Sequence, residues 1–119
     1  MAEPPPIREP TYFVLAALLG GPLHGYAIMK RAEELSGGRV RLATGTLYAA
    51  LDRLTAEGHI ELIGEQTVAG RVRRTYGLTE GGSAALRAEA QRMAEAARLV
   101  TSRETEAKPG QLTRKLRTT

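Results

Sequence analysis

The sequence has no cysteine and no tryptophan, one phenylalanine and two histidines among its 119 residues. The absence of cysteine removes disulfides, thiolate nucleophiles and thiolate metal sites, and it fits a reducing compartment, so a cytoplasmic protein is expected. His24 and His59 have no companions at metal-ligand spacing, and no metal is expected. Asp52 is the sole aspartate, and Ser36, Ser83 and Ser102 lie in glycine-flanked or helical contexts without Ser-His-Asp logic. The stretch GLTEGG lacks the lysine and the spacing of a phosphate-binding loop. No apolar run approaches the roughly 20 residues that span a bilayer. The opening MAEPPPIREP lacks the basic and then apolar pattern of a secretory signal. These absences leave no catalytic constellation and no cofactor, and the chain reads as neither an enzyme nor a membrane protein.

What is present begins with charge. The net charge is +4 and the pI is near 9.9, a balance that points to an anionic partner. Much of it sits at the end, where Arg103, Lys108, Arg114, Lys115 and Arg117 face only Glu104 and Glu106. A second basic feature is independent of that tail. Between Glu65 and Glu80 the only charges are Arg71, Arg73 and Arg74.

The length is one domain's worth. Residues 11–19, TYFVLAALL, are rich in alanine and leucine and predict a buried helix stopped by Gly20, Gly21 and Pro22. In residues 24–35, Tyr26, Ile28, Met29, Ala32 and Leu35 recur at helical spacing, and Gly37 and Gly38 offer a left-handed cap. Residues 40–42, VRL, are expected to form a short strand. A third helix is predicted from Thr44, as its cap, to Glu57, with Gly58 as its stop. HIELIG and RRTYGLT alternate as strands around a loose TVAGR tip. From Thr79 the pattern is helical again, and Leu86, Ala90, Met93, Ala97 and Val100 step at heptad spacing between mixed charges. Past Glu104 the low apolar content predicts disorder.

Helix, helix, short strand, helix, hairpin and long helix is the order of a winged helix-turn-helix: mainly α with a small β-hairpin, followed by a C-terminal dimerisation helix. In that fold the third helix enters the DNA major groove and the hairpin, or wing, reaches the backbone or minor groove. The third helix is expected to present Thr46, Ala49 and Arg53 opposite Leu47, Leu51 and Leu54. They offer a hydroxyl, a methyl and a long cation to a groove about 12 Å wide. Tyr48, on the flank of the leucine stripe, admits both packing and contact. Arg53 admits both DNA contact and pairing with Glu57 at i+4. The C-terminal seam either covers the first helix or meets a second copy; a dimer interface shared by both helices is the preferred reading.

HGY at 24–26, GTLYAALDRL at 45–54, EGHIE at 57–61 and RVRRTYGLTEGG at 71–82 together resemble the PadR family of bacterial transcriptional regulators, over roughly residues 11–100. The resemblance implies a homodimeric winged-helix regulator, usually a repressor, that binds an inverted repeat in double-stranded DNA. Its single C-terminal helix is similar to the family's short-chain branch. Carried onto this sequence, it implies DNA contact by Thr44, Gly45, Thr46, Tyr48, Ala49 and Arg53 on the third helix and by Arg71, Arg73 and Arg74 on the wing. His24 is read as capping or packing at the start of the second helix, with both it and Tyr26 near the DNA backbone, and the heptad residues Leu86, Ala90, Met93, Ala97 and Val100 are the expected dimer interface. Where the family commonly has Ser-Pro ahead of GTLY, this chain has Ala43 and Thr44, and His59 stands in place of a usual leucine. The expected organisation is a flexible segment at 1–10, the DNA-binding domain at 11–79, the dimerisation helix at 80–103 and a disordered basic tail at 104–119. A small-molecule effector, of unidentified chemistry, would be expected between recognition unit and dimer helices, beside Tyr12, Phe13 and Met93. The alternative function is a winged-helix protein-interaction module without specific DNA binding.

Overall fold

The structure, a computed structural model, describes residues 6–106. Helix α1 (Glu9–Ala17) starts two residues earlier than expected, with Pro10 in its first turn. Proline is tolerated there because the first N–H groups of a helix have no intrahelical acceptor. Just upstream, Ile7 packs on the core and donates its N–H to Glu89 Oε1 at 3.0 Å. The expected flexible segment at 1–10 is therefore corrected from Ile7 onward, where an apolar side chain and a long-range hydrogen bond tie the chain down.

After a 3-10 turn at Leu18–Gly20 comes a strand of two residues, β1 (Leu23–His24). His24 then caps α2 (Gly25–Leu35), its Nδ1 accepting from the Ala27 N–H at 3.3 Å. Gly37 and Gly38 close α2, donating to Glu34 and Glu33 carbonyls in the left-handed ending their sequence predicts. Residues 40–42 form no strand, contrary to expectation. The Val40 N–H is taken by Ser36 Oγ at 2.9 Å and Arg41 turns back to the Gly38 carbonyl, so the segment is satisfied locally and has no ladder to join.

Helix α3 (Thr44–Ala56) is capped by Ala43 without a side-chain hydrogen bond, so Thr44 is its first residue rather than its cap. Gly58, at φ 81°, ends it as read, with the Gly58 and His59 N–H groups bonded to Thr55 and Leu54 carbonyls. Strands β2 (Ile60–Val68) and β3 (Arg71–Leu78) pair antiparallel, and β1 adds to the far edge of β3 in the order β1-β3-β2. The tip is tighter than expected. Thr67 pairs with Val72 and Val68 with Arg71, leaving a two-residue turn of Ala69 and Gly70, both at positive φ. A bulge at Ile63 interrupts β2, and the Ile63 side chain lies over Gly77, where a β-carbon would come within 3.0 Å of it.

Helix α4 (Glu80–Glu106) follows and runs past the expected boundary at 103; residues 107–119 of the expected tail lie outside the described residues. The chain divides into two compact units, Met1–Glu89 and Ala90–Thr119. In the first, Val14, Leu15 and Leu18 of the α1 region, Ile28 of α2, the three leucines of α3, Ile60, Tyr76 and Leu86 form one buried cluster. Fully burying such side chains is worth about 1.5–3 kcal/mol each before entropy is charged against it. Among the described residues no helix is long and apolar enough to cross a membrane.

Candidate nucleic-acid interface

Helix α3 has three faces. Leu47, Leu51 and Leu54 are buried in the core. Gly45, Ala49, Asp52 and Ala56, spaced three and four apart, form with Tyr48 beside them an exposed stripe of mostly small side chains. Thr46, Ala49, Arg53 and Glu57 lie on the side of α3 that lines a groove of about 880 Å³ with Pro6, Ile7 and Thr11. Across that groove Arg53 donates from Nη2 to Thr11 Oγ1 at 2.9 Å, and its Nε is 3.9 Å from Glu57. Thr46, Ala49 and Arg53 are all exposed and all line this groove, on the side of α3 away from its buried leucines, with Arg53 tied back to α1.

Tyr48 is 39% exposed, and the rest of its ring rests against Gly25. A β-carbon at position 25 would collide with the phenol, so HGY and GTLY act as one packing unit that seats the start of α2 on α3. Both readings of Tyr48 hold geometrically: one side packs and the other is open. The His24 ring is engaged as the α2 cap, whereas Tyr26 is exposed with Lys30 Nζ 5.9 Å from its ring centroid. Thr44 and Gly45 are exposed in the first turn of α3.

On the wing the register sorts the arginines. Arg71 and Arg73 pair with Val68 and Gln66, and strand alternation puts them on one face. Arg74 faces the other way, with Tyr76, and its Nε is 3.0 Å from Glu65 on the opposing strand. That hydrogen bond and its charge hold the Arg74 guanidinium above its ordinary range, with Tyr76 and Asp52 adding smaller pulls. Arg71 and Arg73 are exposed and form no ion pair with any described residue. The run without acids between Glu65 and Glu80 concealed the pairing of Arg74, because Glu65 is its neighbour only across the hairpin. Tyr76, 4% exposed, is pushed up by burial, with Arg74 pulling it partly back.

Of the expected interface residues, Leu86 belongs to the core of its own unit. Farther along α4, Met93 and Val100 are 46% and 61% exposed, Ala97 is exposed and Ala90 is half-buried. Tyr12 and Phe13 are half-buried and meet edge to face at 5.3 Å, and neither lines the groove beside α3. Among the described residues no three histidines or carboxylates gather as a metal site.

A model of the PadR-like family of transcriptional regulators matches residues 14–88, from the middle of α1 through the wing into α4. The chain belongs to that family. A relative, the transcriptional regulator Rv3488 of Mycobacterium tuberculosis, is 45% identical over 69 residues, covering 57% of this chain and 63% of the relative. An uncharacterised 37.1 kDa protein of transposon TN4556 from Streptomyces fradiae is 46% identical over 81 residues, which are 68% of this chain and 22% of that protein. The chain thus spans less than two thirds of either relative. Among solved structures, Bacillus subtilis PadR in complex with operator DNA aligns with TM-score 0.59 and 28% identity, covering 67% of this chain and 45% of that one. A PadR family regulator from Clostridium difficile R20291 shares the fold, with TM-score 0.66 and 23% identity over 80% of this chain and 97% of that one.

Proposed function

We propose that this PadR-like chain is a sequence-specific DNA-binding repressor that acts in the cytoplasm as a homodimer on an inverted-repeat operator. The observation that carries the reading is the pairing of the exposed, small-residue stripe of α3 with a wing whose Arg71 and Arg73 share a face and have no acidic partner among the described residues. A stripe of glycine, alanine and one aspartate lets the helix backbone approach base edges closely, and unpaired arginines on a projecting hairpin suit phosphates. The likeness to Bacillus subtilis PadR, whose structure holds operator DNA, supports the same reading. Arg53, bound to Thr11 and beside Glu57, is assigned a place at the edge of the interface; Tyr48 and Ala49 take the centre.

The dimer reading rests on α4, where Met93, Leu99 and Val100 are all exposed in the single chain. Leu86 is left out of the seam because it already serves the core. A two-fold dimer presents two copies of α3 to half-sites about 10 base pairs apart, or a multiple of that spacing.

The test is a selection from random duplex DNA followed by sedimentation of the parent and a Met93→Glu/Val100→Glu variant. Enrichment of an inverted repeat by the parent, with loss of both the dimer and the repeat in the variant, is the expected result. Enrichment of no sequence would leave the protein-interaction alternative in its place.

A further inference from the structure

Asp52 makes none of the hydrogen bonds or ion pairs described so far. It is the sole aspartate of the chain, it stands in the middle of α3, and aspartate is a weak helix former at such a position. No cation lies three or four residues away on the helix, and its carboxylate makes no hydrogen bond or ion pair with any described residue. It is exposed, one turn beyond Tyr48, with Ala49 and Ala56 as its small neighbours along the stripe. Its charge adds a small pull on Arg74 and Tyr76 of the wing.

We propose that Asp52 is a base-reading residue, its carboxylate accepting a hydrogen bond from the N4 amino group of a cytosine in each half-site. The proposal rests on the DNA-binding reading above and adds the chemistry of one position to it. A carboxylate facing a polyanion is repelled unless it meets a donor. In the major groove guanine shows only acceptors, thymine an acceptor and a methyl group, and adenine an amino donor beside the N7 acceptor. Cytosine alone offers a donor with no acceptor of its own next to it. Asp52 therefore rewards one base and opposes the rest. The small side chains at 45, 49 and 56 bring the helix close enough for so short a side chain to reach.

The experiment is a selection from random duplexes with the parent, Asp52→Asn and Asp52→Ala, followed by competition binding with each half-site position varied. The parent is expected to enrich a cytosine at one symmetric pair of positions, and replacing it should weaken binding on the order of tenfold per half-site. Asp52→Ala should lose that preference while keeping the others, and should bind unrelated duplexes more tightly than the parent. Asp52→Asn should move the preference to adenine, whose N6 and N7 match an amide. If both variants enrich the same consensus as the parent, the assignment of Asp52 is overturned and the regulator reading stands. If the parent enriches no consensus, both fall together.

Discussion

Helix α3 and the wing, the two parts proposed to meet DNA, are held in opposite ways. On α3 three leucines are buried to 1% exposure or less, so the helix is positioned by the core. On the wing Ile60 is the only buried residue of β2, and Leu62, Val68 and Val72 stand in the open, so the hairpin is positioned by its own ladder and turn. Their charges differ too. The one arginine of α3 is tied to Thr11 and sits beside Glu57, while two of the three wing arginines have no ion-pair partner among the described residues. The difference assigns placement by the core to the helix and exposed positive charge to the hairpin. Base reading needs the first, since a lateral slip of the helix loses the edge; phosphate attraction uses the second.

The largest expected effect breaks the comparison at the level of stability. Leu51→Ala should cost about 2–5 kcal/mol in denaturant unfolding, because it leaves a cavity where α1, α2 and α3 meet. Val72→Ala on the exposed wing should stay within about 0.5 kcal/mol. Equal costs would mean that the wing is packed against something the single chain does not provide.

Next comes the contact that seats α2 on α3. Gly25→Ala should destabilise by about 1–3 kcal/mol, because the new methyl group meets the Tyr48 phenol. Adding Tyr48→Ala should recover part of that loss, so that the two changes are not additive in a double-mutant cycle. Strict additivity would show that the ring does not depend on the glycine.

Smaller again, and specific to DNA, is the contrast among the wing arginines. Arg71→Ala with Arg73→Ala should weaken binding to every duplex alike and, in a dimer, flatten the slope of log K against log salt by about 3–4. Arg74→Ala should do less, because its guanidinium is already engaged by Glu65 and lies on the other face from Arg71 and Arg73. A larger effect from Arg74 would reverse the order of the wing.

How much of this was legible in the sequence depends on the range of the interaction. Helices of nine residues or more announce themselves by leucine spacing and glycine stops, and the glycine endings of α2 and α3 stand where they were read. Strand β1 could not be read, because two residues show no alternation and its partner Tyr76 lies more than fifty positions away. The strand expected at 40–42 failed for a related reason: apolar alternation over three residues does not reveal that Ser36 has already taken the Val40 N–H. At the interface, residue types were legible and long-range partners were not: Arg53 stands on α3 beside Thr46 and Ala49, but its bond to Thr11 depends on where α1 packs. Asp52 was visible as a lone aspartate, and only its exposed place on the stripe gives it a role.

The smallest expected effect sharpens the comparison by stiffening the wing alone. Ala69 holds φ 52° at the first central position of the two-residue turn, a region costly for any side chain but tolerated best by asparagine and aspartate. The pair Asn-Gly suits this turn because both of its positions require positive φ. Ala69→Asn is therefore expected to raise stability by about 0.5–1 kcal/mol, the usual gain when a turn residue is matched to its backbone. Since β2 and β3 are tied to the core only at their Ile60 and Tyr76 ends, the gain should appear chiefly as slower amide exchange in Thr67, Val68, Arg71 and Val72, with little change in α3. If exchange slows equally in both regions, the wing and the helix open together and their separate means of support is an illusion of the static structure. If it slows only in the wing, DNA affinity can be measured against wing stiffness with the helix untouched, and a gain in affinity would show that ordering the hairpin is part of the cost of binding.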